Sequence, residues 1–174
     1  MPGNLDKVIA GLKFLGISPN IREYRGRFFI QKTAFLTKAL GMEITYDFTV
    51  YVAGPYSHEL TCDYYANSSK LESLQTDYEL SQSDIQILEK IKSCGDIYDN
   101  MGLMEATSTV VYLKKQNPEL TDDDLFVRLK RLKPHLTDAD RTIGITKAKE
   151  LLFKPEYLTE EIAKEMNEWD RLDS

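Results

Sequence analysis

The sequence predicts a mostly α-helical α+β domain, a compact multi-helix body with a small antiparallel β-ribbon and the ingredients of a winged helix. Three observations carry this. Apolar residues recur at helical spacing through most of the 174 residues, with capping residues ahead of the runs. One stretch, "EITYDFTVYVA" (43–53), alternates apolar and polar residues instead. At 42% hydrophobic residues, with only 9 Gly and 6 Pro, the chain has enough apolar surface to bury a core.

The elements follow in order. Asn4 caps a first helix that carries Leu5, Val8, Ile9, Leu12 and Leu15. Gly16 to Asn20, with Pro19, breaks it. A second helix runs from about Arg22 or Gly26 to Leu40, with Gly41 behind it. Ile44, Tyr46, Phe48, Val50 and Val52 then form the inner face of a half-buried strand. Ser57 caps "HELTCDYYANSSKLE", which ends near Ser69. "LQTDYEL" (74–80) reads as a short second strand. Ser81 and Asp84 make a capping box for "SDIQILEKIKSC", stopped by Gly95. From Gly102 onward the pattern is helical throughout. Thr121 caps "DDDLFVRLKRLK", Pro134 ends it, Thr137 caps the next helix, and Thr159 caps a last one with Leu158, Ile162, Met166 and Trp169 on one face. Residues 1–100 read as a helix-strand-helix, winged-helix-like part and 101–174 as a helical part packed on it, within one domain.

Charge and composition narrow the function classes. The net charge is −6, yet residues 1–41 carry +5 (Lys7, Lys13, Arg22, Arg25, Arg27, Lys32 and Lys38 against Asp6 and Glu23) and the remainder −11. Such asymmetry marks either an anion-facing end or two halves that attract each other. No apolar run is long enough for a membrane helix, and Lys7 and Lys13 interrupt the first helix, which therefore reads as folded and not as a signal peptide. Two cysteines outside any CxxC pair fit a reduced, cytoplasmic setting. His58 and His135 have no ligand-spaced companions, so neither a metal nor a cofactor is expected.

Two motifs raise functional questions. In "AGPYSHEL" (53–60), Gly54, Pro55 and Ser57 have structural work at a strand-to-helix corner: a positive φ, an end to the ladder and a helix cap. Tyr56 has none, and reads as a contact residue. A hydrolase using Ser57 and His58 is the alternative, although the Gly-x-Ser-x-Gly elbow is absent. On the second helix, Arg27, Gln31, Ala34 and Lys38 form the polar face, and Lys32 falls among Phe28, Phe29, Phe35 and Leu36. Either Lys32 snorkels along Phe28 and Phe35, or its ammonium reaches an acid such as Asp47 or Glu59, or a carbonyl at the corner. Arg25, Arg27, Gln31, Lys32, Lys38 and Tyr56 are the candidate interaction residues; none is assigned a catalytic role. A second basic cluster, Arg128, Lys130, Arg131 and Lys133, is suited to phosphates or to solvent.

"RFFIQKTAFLTKALG" (27–41), an aromatic strand and "GPYSHEL" (54–60) resemble the Gln-Lys plus Gly-Pro-Tyr-Ser pattern of the YwgA-type bacterial and archaeal proteins. "MEATSTVVYLKK", "LKPHLT" and "KAKELL" extend the likeness over most of the chain. More distantly the chain resembles the Panacea domain of SocA-like antitoxins. The resemblance implies a helical, regulatory or protein-binding, antitoxin-like module without established catalytic residues. The rival expectation is a DNA-binding winged-helix regulator using the N-terminal basic residues.

Overall fold

The structure, a computed structural model, describes residues 4–153 and 160–172. It is mostly helical, with nine α-helices and one two-stranded antiparallel sheet among these residues. The helices are α1 (Asn4–Leu15), α2 (Tyr24–Ala39), α3 (His58–Ala66), α4 (Ser68–Glu72), α5 (Gln82–Lys92), α6 (Met101–Gln116), α7 (Asp122–Leu132), α8 (Asp138–Leu152) and α9 (Glu160–Leu172). The strands are β1 (Thr49–Tyr51) and β2 (Gly54–Tyr56), and a 3-10 turn spans Gly95–Tyr98.

Local chemistry sets most helix starts. Ser81 with Asp84 and Thr121 with Asp124 form complete capping boxes, and Thr137 accepts from the Asp140 N–H. Asn4 acts differently from the expected cap. It lies inside α1, and its amide exchanges hydrogen bonds with the Thr45 N–H and hydroxyl. The helix expected to run to Ser69 breaks at Asn67, where α3 gives way to α4. Thr159 and Leu158 lie outside the described residues, as does the side chain of Ile162; Met166 and Trp169 on α9 are exposed.

The alternation from 42 to 50 holds in burial but not in pairing. Met42, Ile44 and Tyr46 are buried, and Glu43, Thr45 and Asp47 are exposed. Only Thr49–Tyr51 enters a ladder, pairing Val50 with Pro55. Period-two burial requires an extended chain, and nothing in it requires a neighbouring strand. Leu74 to Leu80 forms no strand either. The second strand is instead the corner itself. Pro55, expected to end the ladder, sits within β2, because an edge strand of a two-stranded sheet tolerates a missing N–H. Val52, expected on the inner face, is 85% exposed at the hairpin tip.

Two apolar clusters share α2. Ile30 and Ala34 join α1, Met42, Ile44, Tyr46, Leu60, Tyr64 and Leu71. Phe28, Phe29, Phe35 and Leu36 join α5 to α8, through Ile91, Met104, Val110, Leu125 and Ile145. Residues Phe28 to Thr37 are consequently buried on every side of the helix. The expected polar face is absent there: Gln31 and Ala34 are as buried as the phenylalanines. The most extensive helix packing is that of α6 on α8. A Cβ on Gly144 would stand 2.6 Å from the Ala106 Cβ, so glycine is what lets the two backbones approach. Gly144→Ala should cost about 1–3 kcal/mol by overpacking this crossing. Urea denaturation measures it, and an unchanged midpoint would show that the helices part freely.

Candidate functional site

The site forms where α2 passes under the β1–β2 hairpin and the start of α3. Gly54 opens β2 at φ +96, and a Cβ there would press to 3.4 Å from the Lys32 Nζ and 3.2 Å from the Thr109 hydroxyl. Only a residue without a side chain lets the corner settle onto α2 and α6 in this conformation. Gln31 then grips the corner like a missing strand. Its Oε1 accepts from the Ser57 N–H at 2.8 Å, and its Nε2 donates to the Ser57 carbonyl and the Thr61 hydroxyl, each at 2.9 Å. The Ser57 hydroxyl accepts from the Leu60 N–H at 3.3 Å and caps α3 as expected.

Lys32 does not snorkel. It is 2% exposed, and its ammonium donates to the Pro55 carbonyl at 2.7 Å, the corner-carbonyl alternative of the sequence reading. The face of Phe28 lies 4.9 Å from the charge. Burial pulls the Lys32 ammonium down to about 7; the Glu105 carboxylate opposes this, and the Lys133 charge adds to it. Glu105, buried on α6, sits 3.4 Å from Lys133 and 3.0 Å from the His135 Nε2. Lys133, counted with the surface cluster in the sequence, is buried, and it donates to the Tyr51 and Val52 carbonyls of the hairpin. Arg128, Lys130 and Arg131 remain exposed.

Above Lys32 lies a cavity of about 250 Å³ walled by Tyr24, Phe28, Tyr51, Tyr56, Tyr64 and Tyr65. Arg27, Gln31 and Lys32 line it as well. Tyr51 meets Tyr56 edge to face at 5.3 Å, and Tyr64 meets Tyr65 at 5.0 Å. Four of the six candidate interaction residues, Arg27, Gln31, Lys32 and Tyr56, thus converge on one cavity. Arg25 and Lys38 do not. Arg25 donates to the Tyr98 carbonyl and stacks on Phe29; Lys38 donates to the Tyr46 carbonyl. Ser57 and His58 are not joined, for His58 turns to Cys62, 3.5 Å away. Sequence reasoning missed Tyr24, Tyr51, Tyr64, Tyr65 and Glu105, and placed Lys133 in a basic cluster open to phosphates or solvent. Tyrosines scattered from Tyr24 to Tyr65 leave no periodic signal; only the fold, which sets α2, the hairpin and α3 side by side, gathers them.

A larger depression of about 930 Å³ is lined by Lys90, Lys114, Lys115 and Lys149. It is the weaker candidate, because three of these ammoniums are committed within the fold. Lys90 donates to Phe153, Lys114 to Pro118 and Leu120, and Lys149 pairs with Asp122. Among the described residues no three His, Cys, Asp or Glu side chains gather as a metal site, and no helix is long and apolar enough to cross a membrane.

Two measurements check this geometry. Gln31→Leu keeps the bulk but strands the buried Ser57 N–H, while the Ser57 carbonyl keeps the Thr61 N–H; it should cost about 1–3 kcal/mol in chemical denaturation, against about 1 kcal/mol for Ser57→Ala. The second is a pH profile. Lys32 titrates near 10.5 when unfolded and at about 7 when folded. Between these values the unfolded chain holds the extra proton, so the penalty Lys32 imposes is full below about pH 7 and fades as pH rises. Wild-type stability relative to Lys32→Met should rise from about pH 7 to about pH 10. A flat difference would place the ammonium in water.

A scan of protein-family models and searches of curated proteins and solved structures return no match to this chain.

Proposed function

We propose that the chain is a non-enzymatic, cytoplasmic regulatory or protein-binding module that engages its partner through the tyrosine pocket. One observation carries the reading. Three tyrosines at the pocket, Tyr24, Tyr51 and Tyr65, are each more than half exposed, and they surround the cavity that also collects Arg27, Gln31, Lys32 and Tyr56. Rigid aromatic side chains beside an arginine, clustered at a concave opening, are the composition of protein-contact hot spots. The resemblance to YwgA-type and SocA-like proteins points the same way, toward a regulator or an antitoxin-like module. The Ser57 hydroxyl is engaged as a cap, which leaves the hydrolase alternative without an activated nucleophile.

The DNA-regulator alternative draws less support. Five of the seven N-terminal cations are engaged by backbone carbonyls: Lys7 by Glu43, Arg25 by Tyr98, Arg27 by Ile21, Lys32 by Pro55 and Lys38 by Tyr46. Such charges are not arrayed for phosphates.

Affinity capture from the native host tests the proposal, using wild-type protein beside Tyr65→Ala and Tyr51→Ala. The expected result is a co-purifying chain whose recovery falls about tenfold in both variants while their unfolding temperatures stay within a few degrees of wild type. Recovery indifferent to both substitutions overturns it. So does nanomolar duplex binding that weakens steeply with salt, which would install the DNA reading.

A further inference from the structure

We propose that the tyrosine pocket is a binding site for a planar, ring-bearing carboxylate, its ring held among the tyrosines and its carboxylate on Lys32 and Arg27. The inference rests on the same pocket as the proposed function and adds what the pocket recognises. A small free acid and the carboxylate of an aromatic residue ending a partner chain present this same chemistry.

The walls select the ring. Six aromatic side chains surround about 250 Å³, below the ~300–1,000 Å³ of drug-sized pockets, so one ring with a short acidic arm fits better than a nucleotide. The charges select the carboxylate. Arg27 and Lys32 line the cavity, and no Asp or Glu does. Behind Lys32 stands a single carboxylate, Glu105, already shared with Lys133 and His135. Two buried lysines around one buried glutamate leave positive charge unbalanced, and an incoming anion restores it. The donors agree. Lys32 donates to one acceptor, the Pro55 carbonyl, out of the three an ammonium can serve. Arg27 places Nη1 on the Ile21 carbonyl, which leaves the rest of its fork for a carboxylate.

Proton uptake is built into this site. The groups facing Lys32 are Glu105 from α6, Lys133 beyond α7, Tyr51 and Tyr56 from the hairpin, Tyr64 from α3, and Tyr24 and Arg27 from its own helix, with His135 behind Glu105. Without an anion the burial of Lys32 favours the neutral amine; a bound carboxylate favours the ammonium. Affinity for a carboxylate ionised throughout therefore falls as pH rises past the folded titration of Lys32.

Calorimetric titration of the intact protein with benzoate, and with benzamide as the uncharged isostere, tests the proposal. Benzoate should bind at least ~10-fold more tightly than benzamide, and about 10-fold more weakly at about pH 9 than at about pH 6. Lys32→Met and Arg27→Gln should each weaken benzoate about 10-fold and abolish or blunt the preference over benzamide, while His135→Gln keeps the pH profile. If Lys32→Met fails to fold, Arg27→Gln makes the same comparison, and the rim variant Tyr65→Ala should weaken benzoate and benzamide alike. A peptide ending in phenylalanine, as free acid and as amide, separates the two sources: a free-acid peptide tighter than benzoate assigns the site to a chain terminus, and equal affinity assigns it to a small acid. Equal binding of benzoate and benzamide, or no saturation by any acid at ~10 mM near pH 6, overturns the proposal. Partner capture lost in Tyr65→Ala without any acid binding would overturn it too, while upholding the protein-binding reading.

Discussion

Much of this structure depends on one constraint: the backbone from Met42 to Ser57 packs against helices with almost no sheet to pair with. Buried N–H and carbonyl groups need partners, and two three-residue strands supply few. Side chains supply the rest. Asn4 takes the Thr45 N–H, Lys7 the Glu43 carbonyl, Lys38 that of Tyr46, Lys133 those of Tyr51 and Val52, Lys32 that of Pro55, and Gln31 both groups of Ser57. Hydrogen bonds from charged donors are worth about 1.5–3 kcal/mol each, more than neutral ones, which suits lysine to the task. The same requirement occupies three of the seven cations in the first 41 residues, Lys7, Lys32 and Lys38.

This constraint also separates what the sequence makes legible from what it hides. Caps are local, so Ser57, Ser81, Thr121 and Thr137 could be read from residues three positions apart. Alternation is local too, and the burial of Ile44 and Tyr46 follows it. Pairing is not local. Nothing in "EITYDFTVYVA" reveals that its carbonyls go to lysines from α1, from α2 and from the loop after α7. The helical projection of α2 fails for a related reason. It sorts residues by polarity and cannot see that Gln31, Lys32 and Thr33 meet polar partners inside, with the Thr33 hydroxyl 2.7 Å from the Tyr98 hydroxyl. Polar type signals exposure only where no buried polar group waits for it.

The Lys32, Glu105 and Lys133 cluster extends the same logic from backbone to charge. Burying an ion is costly, and Glu105 offsets two such costs from one position on α6. It thereby links α2, the hairpin and the loop after α7 around a single carboxylate, with Arg141 on α8 holding the Lys133 and Pro134 carbonyls from the other side. The apolar clusters set the helices side by side; this polar cluster sets the depth at which the hairpin rests on them.

Lys133 holds the hairpin by the carbonyls of Tyr51 and Val52, and never by their side chains. Every amino acid offers that carbonyl. The outward side chains of the tip can therefore drift through mutation without loosening the clamp beneath them. Surface identity and scaffold integrity are inherited separately here, so a lineage can retune what this edge of the pocket meets while keeping the fold that presents it.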